Sequence, residues 1–212
     1  MDGDRSGTVN PNTHLPPAGS VSREGQAAKD GVDAGGLTGE PAGIGDGAVD
    51  SPFSIFAWVN QTATTGIKAI FSKFDTAGTL REYQLVLDAA EKLRFRLYDE
   101  SSDGYIGRLY NTALGTGSIL FVAATYDGSG GSAGIRLFSA GAVVDDTDDN
   151  SGTYTAMENL ATVGRVYSSG SGTPAEYFSG TGYGVGLVAK ALTYDDIWAL
   201  KTAGNGYYDL TL

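Results

Sequence analysis

Cysteine is absent from the 212 residues, and histidine occurs once, as His14. The first absence excludes disulfides and zinc–thiolate sites. The second removes most histidine-based catalysis and any His-rich metal site. Positive charge is scarce, with 14 Lys and Arg against 25 Asp and Glu, a formal net charge of −11. This balance argues against a nucleic-acid partner, which needs a basic face. It favours solubility and the attraction of cations. No run of about 18 apolar residues occurs, so no helical membrane span is expected. The opening MDGDRSG has neither a basic start nor an apolar stretch, so no signal peptide is read there.

Proline is concentrated up to Pro52 and the aromatic residues after it. Five of the six prolines are Pro11, Pro16, Pro17, Pro41 and Pro52, whereas no aromatic residue precedes Phe53. The first stretch cannot bury enough apolar area to offset its ordering entropy. Residues 1–30 are therefore read as an extended Gly/Pro-rich arm, and residues 31–212 as the domain. The segment from about Gly31 to Pro52 is read as running along the domain edge.

After Pro52 the pattern is that of strands. FSIFAWVN (53–60) is aromatic and β-branched between a proline and a polar turn. KAIFSKF, EYQLVL, ILFVAATY and GIRLFSAG follow, then shorter runs around 161–166 and 183–189. LRFRLY alternates strictly, which puts Leu93, Phe95 and Leu97 inward and Arg94, Arg96 and Tyr98 outward. Turn signals such as SSDG, DGSGG and SSGSG recur at short intervals. The expectation is all-β, a two-sheet antiparallel sandwich rather than βαβ units. One short C-terminal helix is expected in ALTYDDIWALK. Thr193 would cap it, Asp195 and Asp196 would sit at its positive end, Ile197 and Leu200 would share a face, and Gly204 would stop it.

The order and spacing of SPFSIFAWVN, AIFSKFD, KLRFRLYDESSDGYIGR, VAATYDGSGGSAGIRLFSAGAVVDDTDDNSGTYTAMEN and FSGTGYGVGLVAKALTYDDI resemble the concanavalin A-like, laminin G-like jelly-roll domains over about residues 31–200. The resemblance implies two curved antiparallel sheets. It also implies the settings in which such domains occur, secreted bacterial proteins and phage virion proteins. Many members bind glycans or proteins, some with calcium, and a minority of the fold are glycosidases. Two places depart from the family pattern. Ile119, Leu120 and Phe121 stand where a Trp-x-His is usual. FSGTGYGV (178–185) carries Tyr183 and Gly184 where an acidic pair is usual, which weakens any carried-over ion or sugar site.

Four aspartates, Asp145, Asp146, Asp148 and Asp149, crowd into a stretch that ends at Asn150. Asp146, Asp148 and Asn150 have the spacing of a calcium-loop start, but Ser151 stands where glycine is needed and Met157 where a bidentate glutamate is needed. These three residues are the calcium candidates, and a solvated hairpin turn is the favoured reading. No other cofactor is indicated. Glycoside hydrolysis needs two facing carboxyl groups; the Glu-x-Asp-x-Glu that the resemblance would supply is missing, and no serine or threonine in the domain has a histidine partner. The protein is thus read as a non-enzyme.

For sugar binding, Tyr105, Tyr154 and Tyr167 lie in or beside expected loops and offer stacking faces. Arg94, Arg96 and Tyr98 form either a face for an anionic partner or, preferably, a solvated sheet face. Asn60 begins an N-x-T sequon. The arm, with only Val9, Leu15 and Val21 as apolar anchors, is expected to dock on another subunit. The leading functional expectation is a structural or decorating subunit of a virion-like or surface assembly, on the virion surface or extracellular. The alternative is a glycan-binding lectin or adhesin module that meets cell-surface glycans. Glycosidase activity ranks last, and neither nucleic acid nor membrane is an expected partner.

Overall fold

A computed structural model describes residues 21–24, 44–75, 80–158, 164–169 and 176–207. Its strands are β1 Val21–Glu24, β2 Phe53–Gln61, β3 Lys68–Phe74, β4 Arg81–Leu87, β5 Lys92–Asp99, β6 Gly104–Ala113, β7 Leu120–Tyr126, β8 Ile135–Ser139, β9 Ala142–Val143, β10 Thr147–Asp148, β11 Gly164–Val166 and β12 Gly180–Val188; helix α1 spans Tyr194–Tyr207. The strands form two six-stranded sheets, ordered β1-β12-β2-β7-β8-β9 and β10-β6-β5-β4-β3-β11. Every pairing is antiparallel. The expected two-sheet jelly-roll sandwich is the observed fold.

The core lies between the sheets. Phe53, Ile55, Ala57 and Val59 of β2 face Leu93, Phe95 and Leu97 of β5 within one apolar cluster, and all seven are at most 1% exposed. Burying each of the large ones contributes on the order of 1.5–3 kcal/mol. The strict alternation of β5 is thus what it promised to be. β2 does not alternate, because its other face is covered too. Phe56 and Trp58 pack with Phe121, Phe138 and Val188 beneath Leu192 and Ile197. Helix α1 therefore lies on the outer side of the first sheet.

The helix begins as expected. The Asp196 amide donates to Thr193 Oγ1 at 3.2 Å, and the Thr193 amide donates back to Asp196 Oδ2 at 3.0 Å, a reciprocal cap that satisfies two helix-end donors. It does not stop at Gly204, however, but runs on to Tyr207. Gly204 is a packing position instead: a Cβ there would come within 2.0 Å of the Trp58 ring.

Other expectations need correction. Val21–Glu24, assigned to the arm, pairs with Gly184–Leu187 of the chain's own β12. The remainder of residues 1–30, His14 included, lies outside the described residues. Residues 104–113, not named among the expected strands, form a ten-residue strand, so Tyr105 stands in a strand next to the SSDG turn. Within the aspartate-rich stretch, Thr147–Asp148 is an edge strand on Leu109 and Arg108 of β6, not a plain turn. Asn60 of the sequon, by contrast, lies where it was expected, in β2, opposite Thr181.

Candidate functional site

The outer face of the second sheet carries its polar side chains in rows fixed by register. One row runs Arg165, Ser72, Gln84, Arg96, Gly107 across β11, β3, β4, β5 and β6. A second runs Ala69, Val86, Arg94, Leu109, Thr147 across β3, β4, β5, β6 and β10. Tyr98 and Tyr105 pair in a third. Half of this face is closed. Gln84 Nε2 and Ser169 Oγ both donate to Glu176 Oε2, at 2.5 and 2.8 Å, and Ser72 Oγ donates to the Ser168 carbonyl at 2.8 Å. The half over β5, β6 and β10 is open: Arg94, Arg96 and Tyr105 are half-buried, and Asn111, Thr147 and Asp148 are exposed.

The open half is organised by Asp149. Its amide donates to the Gly107 carbonyl at 3.0 Å, and the Gly107 amide donates to Asn150 Oδ1 at 3.0 Å, which pins this stretch of chain beside β6. The Asp149 carboxylate then accepts a two-pronged contact from Arg96, Nε at 2.7 Å and Nη2 at 2.8 Å. Burial works against the Arg96 charge, but the Asp149 hydrogen bonds and neighbouring Tyr98 outweigh it and hold the guanidinium ionised above its usual range. The same guanidinium lies 4.2 Å over the Tyr105 ring, which in turn packs on Tyr98 at 5.6 Å.

Arg94 is treated differently. Its Nε is buried and has no hydrogen-bond partner, and it approaches Asp149 Oδ2 only to 4.0 Å. Two guanidinium groups therefore share one carboxylate that Arg96 already holds with both prongs. An arginine side chain only 15% exposed, with a buried unsatisfied donor, is costly unless something completes it. The arginine stripe is thus not the solvated sheet face preferred from sequence. Alternation located it correctly, but the aspartate that half-neutralises it lies 53 residues away and gave no local signal.

The remaining aspartates do not converge on a common centre. Asp145 Oδ2 accepts from Arg108 Nη2 of β6 at 3.0 Å and from Arg136 Nη1 of β8 at 3.2 Å, so it ties the two sheets together. Asp148 pairs with Arg108. Asp146 accepts from the Asn111 amide at 3.0 Å. Asn150, besides holding Gly107, donates to Ser132 Oγ at 3.1 Å. Among the described residues, no group of three or more acidic or histidine side chains is placed to hold a metal ion.

Of the three tyrosines offered for sugar stacking, only Tyr105 stands on the outer face beside the arginines, half-buried and with the Arg96 guanidinium over its ring. Tyr154 is half-buried, and its hydroxyl donates to Asp50 Oδ2 at 2.5 Å. Tyr167 is 3% exposed and adopts a left-handed φ of 61°. Its ring fills the space above Gly182, where a Cβ would come within 1.8 Å of it. It is a core side chain, because β12 supplies a glycine as its seat.

Comparison with known proteins agrees with this architecture. The domain 37–198 matches the family model Laminin_G_3, described as the concanavalin A-like lectin/glucanases superfamily. No curated protein matches the chain. Among solved structures, the chain is similar to the CBM40 carbohydrate-binding module of the Ruminococcus gnavus IT-sialidase bound to α2,3-sialyllactose, with 17% identity, 85% of this chain and 98% of that one covered, and a TM-score of 0.63. It is also similar to domain 4 of an extracellular arabinanase from Geobacillus stearothermophilus in complex with arabinotriose, with 14% identity, 86% and 87% coverage, and a TM-score of 0.52. A leech intramolecular trans-sialidase matches at 19% identity and a TM-score of 0.56, with 87% of this chain but 27% of that one covered. At these identities the likeness shows the fold. Among the described residues no helix is long and apolar enough to cross a membrane. By the family match over three quarters of its length, the chain belongs to the laminin G-like domains of the concanavalin A-like lectin/glucanase superfamily.

Proposed function

We propose that the domain is a non-catalytic carbohydrate-binding module that receives an acidic glycan on the open half of the second sheet's outer face. The observation that carries this reading is the buried Arg94 Nε without a hydrogen-bond partner, 4.0 Å from an Asp149 that Arg96 already holds with both prongs. The pair Arg94 and Arg96 with Asp149 leaves one positive charge, and a ligand carboxylate is the group whose geometry matches a guanidinium fork. Two residues along β5 span about 6–7 Å. The stacked Arg96–Tyr105 pair is therefore offset from Arg94 by roughly the width of one sugar ring, so a saccharide seated against the outer edge of that pair can bring its acid group to Arg94.

The net charge of −11 works against an acidic ligand at long range. Screening over about 8 Å at physiological salt leaves the local arginine charge to decide. The sialyllactose in the similar CBM40 structure supports an acidic sugar, and the arabinotriose in the arabinanase domain supports glycan binding more generally. An extracellular or cell-surface setting goes with such a ligand. The neighbours named above lend nothing to a virion subunit, and the arm contact which that reading requires is replaced at Val21–Glu24 by pairing with the chain's own sheet.

The experiment is a glycan array probed with the wild-type domain and with Arg94→Gln. Binding confined to glycans bearing a carboxylate, and lost in the variant, supports the proposal. Binding to neutral glycans that the variant retains contradicts it.

A further inference from the structure

Four large hydrophobic side chains among the described residues are exposed, and two of them, Tyr194 (51%) and Trp198 (47%), stand one turn apart on α1. Their ring planes are within 15° of parallel, with centroids 6.5 Å apart. Trp198 is held in place although it is half in water. Lys201 Nζ lies 4.6 Å from its ring centroid. The β8–β9 turn closes against it at Gly141, whose φ of 85° and missing Cβ make the approach possible, since a Cβ there would lie 2.9 Å from the ring.

The geometry points to a second carbohydrate site on α1, in which Tyr194 and Trp198 form a platform for the apolar face of a neutral hexose chain. Two near-parallel rings offer stacking surface at low entropic cost, because they are already fixed. The rim is polar and of mixed sign: Asp195, the Lys190–Asp196 pair at 3.3 Å, and Thr202. Such a rim supplies donors and acceptors for hydroxyl groups and, with two carboxylates against one lysine, no net positive charge for an acid.

A protein partner fits less well. A stable interface needs about 800 Å² on each side around a dehydrated core. Here the apolar area is two half-buried rings bordered by charges and by exposed Ala199 and Ala203.

The platform lies outside the first sheet, whereas Arg94 and Tyr105 lie outside the second. The two sites face away from each other, so one domain can join two glycan chains and gain avidity on a polymer surface.

The test is intrinsic fluorescence, since Trp58 is 6% exposed and Trp198 reports alone on the surface. Cellohexaose and mannohexaose are titrated into the wild-type domain, Tyr194→Ala, Trp198→Phe and Arg94→Gln. At least one oligomer should cause a saturable emission change. Its affinity should fall at least tenfold in Tyr194→Ala and stay unchanged in Arg94→Gln, while the emission change itself should vanish in Trp198→Phe. Three results overturn the proposal: no saturable change with either oligomer, a change that Tyr194→Ala leaves intact, or concentration-dependent dimers in sedimentation that Trp198→Ala abolishes. The last would make the face an interface between copies. Loss in Arg94→Gln of acidic-glycan binding alone would leave this site standing and concern only the other.

Discussion

The Tyr126 hydroxyl donates to Asp50 Oδ2 at 2.8 Å in the interior of the domain. The same carboxylate accepts from Tyr154 at 2.5 Å and, through Oδ1, from the Met157 amide at 2.8 Å. The Tyr126 oxygen in turn accepts from the Gly130 amide at 2.7 Å. One buried acid thus clasps the segment before β2, the end of β7 and the chain that follows β10. Tyr126→Phe removes one donor and strands the Gly130 amide, so it should cost about 1–3 kcal/mol in urea unfolding. A loss below the error of that measurement would show that water replaces the clasp.

The clasp has a pH signature. Burial raises the Asp50 pKa, and the hydrogen bonds from Tyr154, Met157 and Tyr126 offset this only in part. A carboxyl group whose folded value lies above its unfolded value, about 3.9, favours folding below that value. The contribution is lost as pH rises through the folded value. Asp50→Asn keeps an acceptor but no titration. Its stability relative to wild type should therefore increase as pH is taken from about 3.5 toward neutrality, read as the difference in unfolding free energy. A difference that moves in the wild type's favour would contradict the assignment.

Gly204→Ala distinguishes a helix stop from a packing seat. In a free helix the change would stabilise by about 1 kcal/mol. Here the new Cβ meets the Trp58 ring at 2.0 Å, and that ring is held by Phe121 at 4.8 Å and Phe56 at 5.9 Å. Overpacking of this kind costs about 1–3 kcal/mol. The melting temperature should fall, and a rise would return Gly204 to the role that the sequence suggested.

These residues show what was readable. The inward set Leu93, Phe95 and Leu97 could be taken from alternation, because a strand with one buried face has a period of two. In β2 the hydrophobic pattern does not alternate, because α1 buries its second face, yet the period of two still puts Phe53, Ile55, Ala57 and Val59 on one face, and that is the face in the core. Gly204 reads as a stop in any local rule, and its true neighbour Trp58 is 146 positions earlier. Tyr105 was placed beside a loop because glycines on both sides mask the start of β6. The paired fates of Arg94 and Arg96 were out of reach, since both lie on the same strand face and only the distant Asp149 separates them. A usable hint did exist: arginines at alternate positions in a protein of net charge −11, with an aspartate-rich edge segment elsewhere in the chain.

Calcium should do nothing to stability. Asp145 and Asp148 face arginines, Asp146 an amide, and Asn150 a glycine amide and a serine. A bound ion would have to displace these partners and desolvate at the same time. Thermal unfolding in millimolar calcium and in chelator should coincide; a calcium-dependent rise of several degrees, lost in Asp146→Ala, would restore the metal reading.

The arginines should separate stability from binding. Arg96→Gln strips Asp149 of its two-pronged partner at a half-buried site and should cost about 1–2 kcal/mol. Arg94→Gln removes a half-buried charge with an unsatisfied Nε and should leave the melting temperature unchanged or raise it. Equal losses in the two variants would mean that Arg94 is structural.

The most direct measurement is calorimetric titration of sialyllactose against lactose, two ligands that differ by the acidic sugar, into wild type and Arg94→Gln. Sialyllactose should bind the wild type saturably and the variant at least tenfold more weakly, with no difference between the two proteins for lactose. Equal binding of both sugars, or binding of sialyllactose that the variant retains in full, would contradict a glycan site built on Arg94.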